Sequence, residues 1–294
     1  MSRFTRHKPN LPDSESWVTH TSRSQIAHPG SLIAQMYRDL LNSRELAWRL
    51  LVRDLSAKYR QSFLGIFWAI IPAIATAAGF TLAKSSGVVS LGNTELPYPA
   101  YVMFSMTLWQ TFVEALQAPM QGVIQAKAML AKINFPREAL IVAKLGEVLF
   151  NFGIKLVLIV GLFIWFKMPV TWSVCLAPVA LIHLIVLGTF IGLLLAPIGA
   201  LYQDFALGLT LATGLWLFVT PVVYAVPSAG MFGRVVRLNP VTPLLVTTRE
   251  LATTGIISYP GDFWLASIFS WLGLLFAWIF YRVAMPYVVE RIGS

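Results

Sequence analysis

Long apolar segments separated by short polar ones dominate the hydrophobic pattern of this chain. About 20 helical residues, at 1.5 Å per residue, match a hydrocarbon core of roughly 30 Å. The pattern predicts six such spans, over residues 63–84, 97–118, 139–166, 174–198, 205–225 and 263–284. The predicted fold is therefore an all-α polytopic membrane protein with six transmembrane helices.

A basic amphipathic segment precedes the first span. Its apolar residues recur at helical spacing and form one stripe: Trp48, Leu51, Val52, Leu55 and Tyr59. Lysine and arginine outnumber acidic residues there, as in helices that lie in a membrane interface. We predict a flexible cytoplasmic tail over 1–31, amphipathic interface or gate helices over 32–62, and a transmembrane domain over 63–290.

The composition excludes a soluble globular fold. The chain is 57% hydrophobic and 12% charged, against about 25% charged in soluble domains. A net charge of +9 can indicate nucleic-acid binding, but the cations lie mainly beside the spans, so we predict no nucleic-acid partner. Ten such cations fall on one side and five on the other, which places both termini in the cytoplasm by the positive-inside rule.

Two connections between spans are unusual. Residues 121–133 show the pattern of a short amphipathic helix in an inner loop, either a docking element for a soluble partner or a helix resting on the membrane. The outer connection, residues 226–262, is too long for a turn and too broken by Gly and Pro to span. We predict re-entrant or interfacial helices there, before the last span.

Polar residues recur inside the third span. Glu147, Asn151 and Lys155 are four residues apart and share one helix face. Because a charge facing lipid is costly, this face should meet protein or water. A polar strip on a transport pathway is one interpretation. Ion pairing is the other, and for Lys144 and Glu114 a structural pair is favoured.

Other features of the spans have two interpretations each. His183 is better explained as a hydrogen-bonded core residue than as a proton relay, and Gly188 and Gly192 suit a close helix contact. Aromatic residues in spans mostly anchor or pack, although their rings could also stack on sugars along a conduit. The candidates for a conduit are Phe63, Phe67, Trp68, Trp216 and Tyr224.

Signatures of catalysis are missing from the sequence. It has no Gly-Lys dipeptide of a P-loop, no HExxH, no GxSxG and no metal-ligand cluster, and the single Cys175 cannot form an internal disulfide. We therefore predict no enzyme and no metal site, so transport energy must come from ions or a partner. An ion-coupled transporter using Glu147, His183 and Lys155 predicts paired repeats, which are not visible. The dispersed carboxylates disfavour a membrane-embedded enzyme.

Short motifs occur in a fixed order relative to the predicted spans. They are LVRDL at 51–55, KYRQSFLG at 58–65, NFPRE at 134–138, YQDF at 202–205, TPVVY at 220–224 and NPVTP at 239–243. Over about residues 35–290 the chain thereby resembles the membrane subunit of polysaccharide-exporting ABC transporters, the type-2 exporter permeases for O-antigen, capsule or teichoic acid. Gln203 departs from the pattern, since a basic residue is frequent there.

The resemblance implies a permease in the bacterial inner membrane that exports lipid-linked polysaccharide, with a drug or small-lipid exporter as the alternative. It implies a homodimer, associated membrane lipids, and two copies of a separate ATPase subunit that binds ATP and Mg, so this chain would hold no cofactor. Arg53, Lys58 and Arg60 would guide the lipid pyrophosphate; anchoring to anionic lipid is the alternative. Helix 121–133 would couple to the ATPase through Gln121, Gln125, Lys127, Met129, Leu130 and Lys132. The first and fifth spans would line the path.

Overall fold

The computed structural model of the chain describes residues 36, 38–60, 65–87, 94, 96–130, 135–168, 170–227 and 230–293. The chain divides into two units, Met1–Asn42 and Ser43–Ser294. In the first unit residues 38–42 are helical, and the predicted tail over 1–31 lies outside the described residues. The second unit contains the elements discussed below.

All regular secondary structure in the described ranges is helical. Two short 3₁₀ helices, Gly65–Ala69 and Trp172–Leu176, accompany the α-helices. The α-helices of the second unit are α1 (Arg44–Arg60), α2 (Ile71–Ser85), α3 (Tyr98–Gln125), α4 (Lys127–Leu130), α5 (Glu138–Trp165), α6 (Ala177–Leu201), α7 (Gln203–Val219), α8 (Gly230–Leu238), α9 (Val241–Thr253) and α10 (Pro260–Gly293).

Among the described residues, three helical segments are long and apolar enough to cross a membrane. They are Glu138–Trp165, Trp172–Leu201 and Pro260–Arg291, and Asp204–Val219 is a shorter apolar helix. Helices α5 and α10 expose many large apolar side chains, as expected of lipid-facing helices. The all-helical membrane fold is thus confirmed. Of the six predicted spans, three meet this criterion of length and apolarity among the described residues.

Helices α3 and α6 form the centre of the packed core. Gly188 and Gly192 of α6 face α3 so closely that a Cβ on Gly188 would lie 2.7 Å from the Phe112 carbonyl oxygen. A Cβ on Gly192 would overlap the Leu116 carbonyl oxygen. The close helix contact predicted for these two glycines is therefore confirmed.

Three helix boundaries differ from the predicted spans, and each difference lies at or next to a proline. The segment predicted over 63–84 is broken at Ile70, because Pro72 has no N–H for the preceding turn and starts α2 anew. The span predicted over 205–225 ends at Val219, because Pro221 holds Thr220 in an extended conformation.

The third difference lies at Pro119, where the prediction ended a span and began an inner loop. Instead α3 runs through Pro119 to Gln125. The proline ring lies against Gly192, where an added Cβ would come within 2.9 Å of Pro119 Cδ, so the missing side chain of the glycine leaves room for the ring. Of the helix predicted over 121–133, the described part is therefore the end of α3, a turn at Ala126 and the four-residue α4, and residues 131–133 lie outside the described residues.

Helix α1 packs on the protein through only part of the predicted apolar stripe. Ala47 and Leu50 are buried, and Leu51 packs against Gly146 of α5, whereas Trp48 and Val52 are exposed. At roughly 100° per residue, the packed face lies about a quarter-turn from the stripe. Trp48 and Val52 of the stripe thus lie on the outside of the unit, and the packed face contains polar residues.

Candidate functional site

A chain of ion pairs joins the packed face of α1 to the polar face of α5. Lys144 Nζ donates to Asp54 Oδ2 at 2.9 Å and to Glu147 Oε2 at 3.0 Å. Lys58 Nζ donates to Glu147 Oε1 at 2.9 Å. Arg53 Nη2 closes the chain at its outer end with a 2.8 Å bond to Asp54 Oδ1. Two cations and two carboxylates in alternation therefore hold α1 on α5, with Arg53 as a third cation.

This series of ion pairs and hydrogen bonds continues onto α3. Lys155 Nζ donates to Glu114 Oε1 at 2.6 Å, and Asn151 Nδ2 donates to Glu114 Oε2 at 3.2 Å. Tyr59 Oη of α1 donates to Asn151 Oδ1 at 2.9 Å. Lys155 is 1% exposed, and a buried ammonium needs such a partner because its desolvation is costly. We call the whole set the Glu114 network: Arg53, Asp54, Lys58, Tyr59, Glu114, Lys144, Glu147, Asn151 and Lys155.

The structure brings Glu147, Asn151 and Lys155 together, as their spacing predicted. The pair predicted between Lys144 and Glu114 is wrong, because Lys144 bonds Asp54 and Glu147 while Glu114 bonds Lys155. The physical reason is that α1 brings its own carboxylate onto α5. Lys155 was left open in the prediction and is the cation that neutralises Glu114.

Asp54 and Lys58 of α1 have pKa values shifted in opposite directions. Burial raises the pKa of Asp54, but the hydrogen bonds and charges of Lys144 and Arg53 outweigh it, so the pKa lies below its usual range. Burial lowers the pKa of Lys58, but the hydrogen bond and charge of Glu147 outweigh it, so the pKa lies above its usual range. Both groups are therefore charged at neutral pH.

A cavity of about 600 Å³ lies between α1, α3 and α5 beside the network. Its lining combines charged network residues with a row of glutamines, and comprises Asp54, Ala57, Lys58, Glu114, Gln117, Ala118, Gln121, Gln125, Lys144, Glu147, Val148 and Asn151. A second cavity of about 300 Å³ shares Lys58, Glu114 and Asn151, and is also lined by Tyr59 and Trp68. Both volumes fall in or near the range of about 300–1,000 Å³ typical of ligand sites.

The three cations predicted to guide a pyrophosphate differ in their surroundings. Arg53 bonds Asp54 and Lys58 bonds Glu147, although both keep about half of their side-chain surface exposed. Arg60, in the last turn of α1, is exposed. Of the three, Lys58 thus holds α1 on α5, whereas Arg53 bonds a carboxylate of its own helix.

The aromatic conduit candidates also separate into two groups. Phe67 and Trp68 lie on the first 3₁₀ helix and are exposed. Trp216 packs edge-on against Trp109 and Phe112. Tyr224 Oη donates to the Phe218 carbonyl at 3.0 Å, while Phe63 lies outside the described residues.

The predicted coupling residues lie at the end of α3 and in α4. Gln121 and Gln125 line the larger cavity. Leu130 is buried in the chain's own core and Met129 packs against it, so both hold this tip in place. Lys127 is half-buried, and Lys132 lies outside the described residues.

A second polar cluster surrounds Arg249 of α9, which the prediction counted as an outer-loop cation. Arg249 is 6% exposed. Its Nη1 donates to Ser105 Oγ at 2.8 Å and to the Pro221 carbonyl at 3.4 Å, and its guanidinium lies 4.1 Å from the Tyr101 ring centroid. Tyr101 Oη donates to the Tyr224 carbonyl at 2.8 Å.

Asn239 supports the same turn from the other side. Its Nδ2 donates to Thr220 Oγ1 at 2.8 Å, and its Oδ1 accepts from Trp216 Nε1 at 3.0 Å. We call Arg249, Ser105, Tyr101, Asn239 and the turn 220–224 the Arg249 cluster. The signal for it in the sequence was the Arg249-Glu250 pair within an otherwise apolar run.

Other polar candidates are locally satisfied. His183 Nδ1 lies 2.8 Å from the Val179 carbonyl oxygen of its own helix, which agrees with a hydrogen-bonded role. Among the residues that the structure describes, no group of three or more His, Cys, Asp and Glu side chains could hold a metal ion. The side chains of the Glu114 network offer charges and hydrogen bonds for recognition.

Comparison with known proteins gives a consistent result. Residues 45–251 match the ABC-2 type transporter family. The chain is 25% identical over 221 residues to the O-antigen export system permease protein RfbA of Myxococcus xanthus, covering 74% of this chain and 84% of that protein. Two proteins of the same name from Klebsiella pneumoniae are each 21% identical over 212 residues, covering 70% of this chain and 80% of theirs. Because the family match extends from α1 to α9, well over half of the sequence, this chain belongs to the ABC-2 type transporter family.

Proposed function

We propose that this chain is the permease subunit of an ATP-driven exporter of lipid-linked polysaccharide of the O-antigen kind, in the bacterial inner membrane. The family match over residues 45–251 carries the proposal, and the names of the relatives support the choice of cargo. Capsular polysaccharide and teichoic acid share the features of such a cargo, a glycan on a lipid carrier.

The proposed topology has six spans with both termini in the cytoplasm. Helices α5, α6 and α10 have the length and apolarity of spans. The remaining three would be α3, with 28 residues, α7, a mainly apolar helix of 17 residues, and the broken segment 65–85. A break in the first span is compatible with a membrane if neighbouring helices or water satisfy the backbone at Ile70.

The proposed assembly pairs two copies of this chain with two copies of a separate ATPase, which binds ATP and Mg. The tip formed by the end of α3, Ala126 and α4 is the coupling element, since helix α3 runs from it directly into the Glu114 network. Movement of the tip by the ATPase would thereby be transmitted to the site where α1 is held.

Within this scheme Arg60 is the strongest candidate to meet the lipid pyrophosphate. It is exposed at the end of α1, whereas Arg53 and Lys58 each hold a carboxylate. Exposed Phe67 and Trp68 follow it in the chain, and they are better placed to line a conduit than the packed Trp216.

The proposal is tested by reconstituting the chain with its ATPase subunit in proteoliposomes. Lipid-linked glycan should stimulate ATP hydrolysis and be translocated. The variant Arg60→Ala should lower the stimulation, whereas Arg49→Ala, which removes an exposed i,i+4 pair with Glu45, should not. Translocation without the ATPase, or stimulation by small lipids but not by lipid-linked glycan, would contradict the proposal.

A further inference from the structure

Three glutamines form one wall of the larger cavity. Gln117, Gln121 and Gln125 follow one another at intervals of four residues on α3, so they lie on one face of the helix. Glu114 precedes them on the same wall. In the described part of the chain, no hydrogen bond engages the side-chain amide of any of the three. The row therefore presents unused donors and acceptors to the cavity.

The charges in the same cavity are already matched to one another. Asp54 and Glu147 bond Lys144, Glu147 also bonds Lys58, and Glu114 bonds the buried Lys155 behind the wall. A phosphate in this space would meet three carboxylates whose cations are engaged, and like charges repel strongly at short range. The cavity therefore favours an uncharged polar ligand over an anion.

The free groups suit hydroxyls. A glutamine amide donates through its nitrogen and accepts through its oxygen, and a hydroxyl does both as well. Each amide has one donor group beside one acceptor, which together match two neighbouring hydroxyls of a sugar ring. Amides four residues apart repeat this pair along the wall. The adjoining cavity adds the aromatic surface of Trp68 and Tyr59, against which the apolar face of a ring can pack.

We propose that this cavity binds uncharged sugar residues, and that Gln117, Gln121 and Gln125 are their hydrogen-bonding wall. The inference rests on the proposed function, because it takes the cargo to contain a glycan. It goes further in separating the tasks: the glutamine row recognises sugar hydroxyls, while the lipid pyrophosphate is met elsewhere. The sugar residues could belong to a lipid-linked glycan or to a free oligosaccharide, which have the same hydroxyl chemistry.

The experiment uses the full chain with its ATPase in lipid nanodiscs. Binding of neutral hexose tetrasaccharides, free and lipid-linked, is measured by saturation-transfer NMR. The double variant Gln117→Leu/Gln121→Leu should bind both forms at least roughly tenfold more weakly, because several hydrogen bonds are lost. The control Gln110→Leu makes the same substitution on the same helix outside the cavity lining, and should bind as the wild type does.

Changing the charge at position 121 distinguishes a sugar site from a phosphate site. Gln121→Glu keeps an acceptor for hydroxyls and should retain tetrasaccharide binding within about threefold. If instead Gln121→Glu abolishes binding while Gln121→Lys strengthens binding of inorganic pyrophosphate, the cavity is an anion site and the inference is wrong. Loss of the ATPase from the double variant would assign the glutamines to subunit docking and also overturn it.

The two proposals fail in different ways. If lipid-linked glycan does not stimulate hydrolysis in the wild-type complex, the proposed function fails. If lipid-linked glycan does stimulate hydrolysis in the wild-type complex, the double variant can still show the same stimulation and the same binding of both tetrasaccharides as Gln110→Leu. In that case only the sugar site fails.

Discussion

The two halves of α3 meet polar groups of the protein in different ways. In the first half, Ser105 and Tyr101 contact Arg249, a buried cation with no carboxylate within salt-bridge distance in the described part of the chain. In the second half, Glu114 belongs to a network of alternating charges beside a cavity of about 600 Å³. One helix therefore carries a closely packed cluster at one end and an open network at the other.

The difference indicates which of the two regions is rigid and which can rearrange. The Arg249 cluster fixes the turn 220–224 through backbone carbonyl groups, which have no alternative rotamers. The Glu114 network consists of long side chains that can exchange partners, and several are half-exposed. We expect the cluster to act as a fixed point and the network as the place where α1 and α5 move relative to α3.

Both regions depend on the close contact between α3 and α6, so the largest effect is expected there. Gly192→Ala should destabilise the protein by about 3 kcal/mol or more, because the added Cβ overlaps the backbone oxygen of Leu116. The matched substitution Gly208→Ala in α7 meets open space, and should be neutral or stabilise by up to about 1 kcal/mol. Thermal unfolding of both variants in detergent gives the comparison; equal unfolding temperatures would refute the role of the contact.

The next largest effect is expected at the fixed point. Arg249→Met should cost about 2–3 kcal/mol, since Ser105 and the Pro221 carbonyl lose their donor and Tyr101 loses its cation contact. The control Arg234→Met removes a cation from an exposed position of α8 and should change stability little. Unfolding temperatures in nanodiscs measure both. A loss confined to Arg249→Met supports a structural cluster, whereas equal small losses would argue against it.

A smaller effect is expected for the network, because its groups have other partners and partial access to solvent. Lys155→Met should cost about 2 kcal/mol by leaving Glu114 without its cation; Glu114 is one-third exposed, which reduces the penalty. Adding Glu114→Gln should recover most of the loss, since the unpaired charge is then removed. A double-mutant cycle on unfolding free energies checks this. Additive losses would show that the two residues do not act as a pair.

Part of the Glu114 network could be predicted from the sequence, whereas the Arg249 cluster could not. The spacing of Glu147, Asn151 and Lys155 was sufficient to place them on one face, because helical geometry alone determines it. The partner of Lys144 was assigned wrongly, because nothing in the sequence indicates that Asp54 of α1 would lie on α5. A hydrophobic pattern reports which face is apolar but not which face packs on protein in a membrane, where lipid is as apolar as a core.

The Arg249 cluster was missed for a related reason. Its members come from α3, the 220–224 turn, Asn239 and α9, and no periodicity connects them. The short helix α9 is buried along its whole length, although it contains Arg249, Glu250 and several threonines. Burial of such a short helix is a property of the tertiary structure, so it is visible only in the folded chain.

The smallest effect concerns pH and tests whether the network alone holds α1. The lowered pKa of Asp54 contributes stability at pH values above its ordinary pKa of about 4, and this contribution is lost as pH falls through the pKa of the folded state. The raised pKa of Lys58 contributes below about pH 10.4, and this contribution is lost as pH rises through the folded-state pKa. Between these limits α1 should remain attached.

Spin labels at the exposed positions Ser56 and Gly153, with Cys175 replaced by serine, report the distance between α1 and α5. The distance distribution should stay narrow between pH 5 and pH 9 and broaden below about pH 4. Asp54→Asn should broaden the distribution at every pH and weaken the acid transition, because the Lys144–Asp54 pair is lost and Glu147, which bonds Lys58, is the carboxylate left to protonate between the two helices. A distribution that stays narrow in this variant would mean that the apolar contacts of Leu50 and Leu51 are sufficient to hold α1. In that case the network would be free to bind ligand without releasing the helix.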